Sequence, residues 1–463
     1  MPLSIQFHST KGKSVTTILI VVFIVTKFIN RKRNGLTVTM AQSATAKTNG
    51  PFKAALPQSV QSVHRAQQQS SRNRQSLQSP LARYLVENQI AFPLYLISTL
   101  IFVHLALPYR HITSKFFFLS HRVEHSGLYV KGPDDLYLVL FWIAAFTLIR
   151  AFAMEYIYIP IARYQGVKSQ KALIRFAEQT WSCTYYIVFW SIGMYLMYHS
   201  PYWLNTDSLW IGWPHRELKP LFKWYYLVQL AFWFQQIYVI QIEQRRKDHH
   251  QMFTHHIVTC TLLIASYNYC FTRVGNAILV LMDVVDIVLC SAKMLRYLGH
   301  QKLCDITFGL FFVTWIIAKH ILYLKLLWSA TFDSHRLIGY KCFSDPLNDV
   351  ISVGEIAPRG NSSRTSVDNE QCFTEVMQYS FISLLWILQF ITIAWLYMII
   401  KVAAKVLSGK TADDSRSDDE DEEEIEIDEI IDDMADKDID ENTDSGVSIE
   451  SSDQEVISSV KDI

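Results

Sequence analysis

Eight apolar runs, each about the length needed to cross the hydrocarbon layer of a bilayer, follow a polar N-terminal stretch and leave little choice of fold. They cover residues 88–108, 136–158, 180–199, 221–242, 252–271, 276–292, 305–329 and 376–400. Inside a bilayer every backbone polar group must be satisfied within the chain, so runs of this length become helices. The sequence therefore predicts an all-α polytopic membrane protein of about eight transmembrane helices. The fifth and sixth runs are interrupted by His255, His256, Asp283 and Asp286. Ionisable groups at membrane depth cost roughly 2.5–3.5 kcal/mol each on insertion scales, so several in one helical hairpin mark a functional site.

The formal net charge of zero conceals a division. Residues 411–463 carry 23 Asp and Glu against 3 Lys and Arg, while the preceding residues carry 20 acidic and 40 basic groups. An acidic, aromatic-free tail of this kind is expected to stay solvated and disordered in the cytosol. Thr411, Ser415 and Ser417 each have an acidic residue three positions on, the pattern of an acidophilic kinase substrate. Residues 1–85 form an N-terminal arm rich in Ser, Gln, Ala and Arg toward its end, with an extra apolar segment at 15–29. That segment reads as a signal-like core, a ninth span, or a stretch left out if translation starts at Met40.

Basic residues fall in alternate loops: Arg163, Lys168, Lys171 and Arg175; Arg245, Arg246 and Lys247; Lys293, Arg296 and Lys302; then Lys401, Lys405 and Lys410. By the positive-inside rule these face the cytosol, which puts both termini there. The 331–375 loop then lies in the lumen, where Cys342 and Cys372 can pair and the sequon at Asn361 can carry a glycan. Closing such a loop would stabilise by about 3–4 kcal/mol in the chain-entropy model. Free thiols and an unused sequon are the competing reading.

Four histidines, His249, His250, His255 and His256, fall in eight residues, separated by one, five, six and seven positions. Two ligands on one helix need to stand three or four apart to share an ion, so no metal site is expected. Asp283 and Asp286 are three apart and share a face of the next helix. With the hairpin turn placed near Arg273 to Gly275, Asp286 falls closer in depth to the histidines than Asp283 does, with roughly 8 Å separating it from His256. A histidine held by a carboxylate suits general-base or nucleophilic acyl transfer; a purely structural polar cluster joining the helices is the alternative.

The text His255 Ile257 Val258 Thr259, Ser266 Tyr267, Arg273 Val274 Gly275, Met282 Asp283 Val284 Val285 Asp286, Ala292 Lys293 Met294 and Tyr297 resembles the signature of the TLC-domain ceramide synthases. Upstream, Arg175 Phe176, Glu178, Trp181, Tyr225 Tyr226, Gln229, Phe232 Trp233 and Gln235 Gln236 are similar to that family's pattern as well. The resemblance spans about residues 165–405, with the first two spans at 86–160 outside it, and is closest to the fungal branch. It implies six helices bundled around an apolar cavity in the endoplasmic reticulum membrane. It also implies transfer of a fatty acyl group from acyl-CoA to the amine of a sphingoid base, with His255, His256, Asp283 and Asp286 as the catalytic set. A small accessory membrane subunit or a dimer is a further expectation; a bound cofactor and a nucleic acid partner are not expected.

Arg245, Arg246 and Lys247 could draw in the phosphates of acyl-CoA or could merely set topology. Lys319 and His320, near the middle of the seventh run, could meet a substrate head group or form an internal ion pair. A secondary transporter would show repeated Gly- or Pro-broken spans in two halves, which this chain lacks. A non-catalytic TLC relative that binds or moves lipids is the remaining alternative.

Overall fold

The computed structural model describes residues 88–242, 248–343, 350–352 and 371–407. Arg245, Arg246, Lys247, Asn361, Thr411, Ser415 and Ser417 lie outside the described residues. The main helices are α1 Ala91–Ala106, α2 Arg110–Phe117, α3 Asp135–Ala153, α4 Gln170–Tyr198, α5 Pro220–Ile242, α6 His249–Asn268, α7 Thr272–Tyr297, α8 Gln301–Trp315 and α9 Glu375–Leu407. α3 continues through a π turn, Met154–Tyr158, to Tyr164. α8 continues through two, Ile316–Leu322 and Ser329–Asp333, to Ile338.

Three of these helices, Asp135–Tyr164, Gln301–Ile338 and Glu375–Ala404, are long and apolar enough to cross a membrane by length and composition. The other five apolar runs coincide with α1 and α4 to α7. Helix boundaries correct the sequence reading in several places, since Lys293 and Arg296 stand on α7, Lys302 on α8 and Lys401 on α9 rather than in loops. α4 begins ten residues before the apolar run, so Lys171 and Arg175 stand on its first turns rather than in a loop. α8 runs on to Ile338, which shortens the loop expected at 331–375.

The helix ends follow local chemistry. Pro108 forces Leu107 out of the helical region, to φ −109° and ψ 159°, and so ends α1. Gly299, at φ 74°, ends α7 in the left-handed conformation, with His300 N bonding back to Leu295 O at 3.0 Å.

α4 to α9 form a closed ring: α7 lies along α4 and α8, α6 lies between α5 and α9, and α4 meets α5 while α8 meets α9. α3 packs on the outside of α5, and α1 and α2 pack on α3. The ring's aromatic core centres on Tyr185, Phe189, Tyr225, Tyr226 and Phe232, with Tyr185 stacked on Phe232. Gly275 is required here by close approach, because a Cβ at that position would collide with the Tyr226 hydroxyl. The same hydroxyl bonds Ser266 Oγ, so one tyrosine of α5 joins α6 and α7.

One end of the ring is capped by a small antiparallel sheet: β1 Lys341–Phe343, flanked by β2 Val350–Ser352 and β3 Gln371–Cys372. Cys342 lies opposite Cys372 in this register, and the two form a disulfide. Trp213 docks the sheet onto the α6–α7 turn: its Nε1 donates to Tyr269 O at 3.0 Å, and its ring stacks on Phe271 and meets Phe343 and Phe373 edge-on. Beside the sheet, Lys223 Nζ reaches Asp135 Oδ1 at 2.6 Å and donates to Ser120 O and Val130 O. Tyr267 Oη donates to Asp135 Oδ2 at 2.7 Å. These buried charges are paired and hydrogen-bonded, as a low-dielectric interior demands, and they pin α3, α5 and α6 together.

Candidate active site

Two cavities open inside the ring. The first is polar and takes its lining from all six helices: Glu178 and Tyr186 from α4, Gln236 from α5, Asp248 at the start of α6, Lys293 from α7, Trp315 from α8 and Trp395 from α9 are among its walls. The second is more apolar and reaches toward the sheet end, past Leu262, Ile278 and Phe381. Trp233, His255, Asp286 and Lys319 line both cavities, so this group of four stands where they meet. His256 faces the polar cavity alone.

α6 brings the two histidines in on different directions because successive helical residues are turned by about 100°. Their rings lie 5.6 Å apart, and both contact Trp233, at 5.7 Å for His255 and 5.5 Å for His256. Trp395 of α9 closes on His255 at 5.2 Å. Nδ1 of each histidine is buried and has no hydrogen-bond partner.

The aspartates have separate environments. Asp283 is fully buried and accepts from Gln229 Nε2 at 3.3 Å, while Gln229 itself accepts from the Tyr185 hydroxyl. Asp286 is paired with Lys319, Nζ to Oδ1 at 3.8 Å. The Lys319 ammonium also sits 4.3 Å from the Trp315 ring centroid, a cation–π contact that helps hold a charge away from water. Lys319 lies in the π turn Ile316–Leu322, where the extra residue re-aims side chains relative to a regular helix.

The hairpin turn corrects the expected pairing. It occupies residues 269–271, between the end of α6 and the start of α7, rather than Arg273 to Gly275. Counting outward from it, Asp286 is level with His255 and Asp283 with His256, each within roughly 1.5 Å of rise. Neither aspartate holds a histidine by Nδ1; Asp283 meets Gln229 and Asp286 meets Lys319.

His320 is absent from the lining of both cavities. It accepts from Trp315 Nε1 at 3.2 Å and meets the Gln389 amide at 2.9 Å, so it ties α8 to α9. His249 lines the polar cavity, whereas His250 is exposed. Among the described residues no group of three His, Cys, Asp or Glu is placed to hold a metal ion. Trp315, Trp395 and Asp248 were not singled out by sequence reasoning. A tryptophan inside an apolar run carries no sign of whether it faces lipid or cavity, and an aspartate before a helix reads as a cap.

An interior histidine pair and two aspartates inside a six-helix ring define a multi-pass membrane protein of the TLC type, and the TLC domain profile matches residues 175–401. Sphingosine N-acyltransferase lag1 of Schizosaccharomyces pombe is 42% identical over 311 residues, 67% of this chain and 74% of that protein. Ceramide Synthase FUM18 of Gibberella moniliformis is 40% identical over 336 residues, 70% of this chain and 77% of that protein. Sphingosine N-acyltransferase-like protein ALT7 of Alternaria alternata is 42% identical over 306 residues, 64% of this chain and 69% of that protein. The chain belongs to the TLC-domain family of sphingosine N-acyltransferases, the ceramide synthases.

Proposed function

We infer that the protein is a ceramide synthase, an acyltransferase that joins the fatty acyl group of acyl-CoA to the amine of a sphingoid base. The observation that carries the site assignment is the meeting of a polar and an apolar cavity at Trp233, His255, Asp286 and Lys319. The reaction needs that junction: the thioester and amine are polar, and the chains attached to them are not.

In one route a histidine takes a proton from the amine as its nitrogen attacks the thioester carbonyl. The N–C bond forms, the C–S bond breaks, and the proton is returned to the departing thiolate. In the other, a histidine attacks first, coenzyme A leaves, and the amine resolves the acyl-imidazole. Both routes develop negative charge on the carbonyl oxygen, and the Lys319 ammonium is a suitable group to stabilise it. Asp286 then orients Lys319, while Asp283, which lines neither cavity, is held by Gln229 behind the site.

Eight membrane crossings with both termini in the cytosol place the histidine end toward the cytosol and the disulfide-bearing sheet toward the lumen of the endoplasmic reticulum. Arg245, Arg246 and Lys247 then stand at the side from which acyl-CoA comes. A glycan at Asn361, phosphates at Thr411, Ser415 and Ser417, and an accessory subunit or dimer belong to the same reading.

The test is acyl transfer from a panel of acyl-CoA chain lengths to dihydrosphingosine in membranes carrying the protein. N-acylated product should form with release of one free thiol per amide. No consumption of acyl-CoA when the base is supplied would make the chain a lipid-binding relative instead.

A further inference from the structure

Asp248 precedes the first turn of α6, where an aspartate ordinarily caps the helix by accepting from the backbone N–H two or three residues on. Here its side chain makes no capping bond. It lines the polar cavity instead, only 4% exposed, with Oδ1 buried and unpartnered. A buried carboxylate without a partner is costly, and a place where one persists inside a cavity is a place built for a cationic or hydrogen-bond-donating ligand.

The other charges of the cavity narrow the choice. Its carboxylates are Glu178, Asp248 and Asp286, and its lysines are Lys293 and Lys319. Glu178 is met by Arg175 at 3.3 Å and Asp286 by Lys319 at 3.8 Å. Among the described residues Asp248 Oδ1 has no hydrogen-bond partner, so this carboxylate is open to a ligand. The anionic phosphates of acyl-CoA are repelled by such a group, whereas the sphingoid base arrives as an ammonium. Asp248 precedes His255 by seven residues on a continuous helical path, about 10 Å of rise, too far to touch the reacting atoms.

We propose that Asp248 is a capture site for the ammonium of the sphingoid base, holding it at the mouth of the polar cavity before it moves to the histidines. The inference rests on the ceramide synthase reading. Its signature is a selective effect on one substrate. Asp248→Asn should raise KM for the base about tenfold, the loss expected for one charge-assisted contact, and leave KM for acyl-CoA within about twofold. Asp248→Glu should recover most of the loss.

A measurement that does not need turnover separates the two readings. An N,N-dimethylated sphingoid base keeps the ammonium but cannot be acylated, and Trp233, Trp315 and Trp395 in the cavity walls report its binding by fluorescence. The purified parent should bind this probe about tenfold more tightly than Asp248→Asn does, while a 2-hydroxy analogue lacking the amine should bind both equally. Equal affinity of parent and Asp248→Asn for the dimethylated base would overturn the proposal. So would a change in KM for acyl-CoA larger than that for the base. If the parent binds the ammonium through Asp248 but forms no amide, the functional reading fails and the capture site stands.

Discussion

The two ends of the helical ring differ in where their unpartnered buried polar groups lie: those of His215, Thr272 and Asn276 at the sheet end line neither cavity, whereas those of His255, His256, Asp248, Trp233 and Trp395 do. At the sheet end, Lys223, Asp135 and Tyr267 satisfy one another at 2.6–2.7 Å, and Trp213 and Arg216 donate to backbone carbonyls of Tyr269 and Phe343. At the histidine end, Nδ1 of His255 and His256, Oδ1 of Asp248 and Asp283, and Nε1 of Trp233 and Trp395 are buried with no partner. Paired groups hold helices in register; unpaired groups facing a cavity lower the cost of binding a polar ligand there. The first end therefore contributes mainly stability, and the second sacrifices some of it for function.

Substitutions should divide along this line. Lys223→Met leaves the Asp135 carboxylate buried without its counter-charge and should destabilise the fold by about 3–5 kcal/mol, read as a lower thermal midpoint and reduced yield in detergent. A midpoint equal to the parent's would erase the contrast. Lys319→Met should instead lower kcat about 100-fold, the scale of losing one group that stabilises the developing oxyanion, with Lys319→Arg recovering part of it. A rise in KM alone would make Lys319 a substrate clamp. Gly275→Ala puts a methyl group against the Tyr226 hydroxyl and should cost about 1–3 kcal/mol of stability, measured against Gly309→Ala, a position where an added methyl group meets nothing, as a control.

The smallest effect concerns the loop beneath the sheet. Burial, reinforced by the Arg273 guanidinium, lowers the His215 imidazole from its ordinary 6.5 to about 4. The folded protein thus binds this proton less readily than the unfolded chain. The stability it contributes is complete above about pH 6.5 and declines as pH falls from there toward 4. Thermal midpoints at pH 7.5 and 5 should fall further for the parent than for His215→Gln; parallel falls would remove His215 from the account.

The histidine end of this contrast was legible in the sequence; of the sheet end only the cysteine pair was. The apolar runs located the helices because hydrocarbon length fixes helix length. The four ionisable residues of the hairpin stood out because such groups are rare there. The hairpin turn falls four residues before the expected Arg273 to Gly275, and Gly275 is no turn residue. In the fold it makes room for Tyr226, and the left-handed position of the turn, φ 60°, falls to Cys270. That difference of a few residues moved each aspartate by about two helical turns relative to the histidines. The Lys223–Asp135 pair joins residues far apart in the chain, so no local pattern announced it. The π turn that aims Lys319 has no marker in composition either.

The most direct test of the central claim pairs two readouts on the same proteins. Acyl transfer and thermal midpoint would be measured for the parent, His255→Ala, His256→Ala and Asp286→Asn at matched protein levels, beside Asp135→Asn from the sheet end. The account predicts that the three cavity variants lose at least about 100-fold in activity while melting within a few degrees of the parent, and that Asp135→Asn melts well below them. Activity surviving in all three cavity variants would contradict it and move the reaction away from the junction of the two cavities.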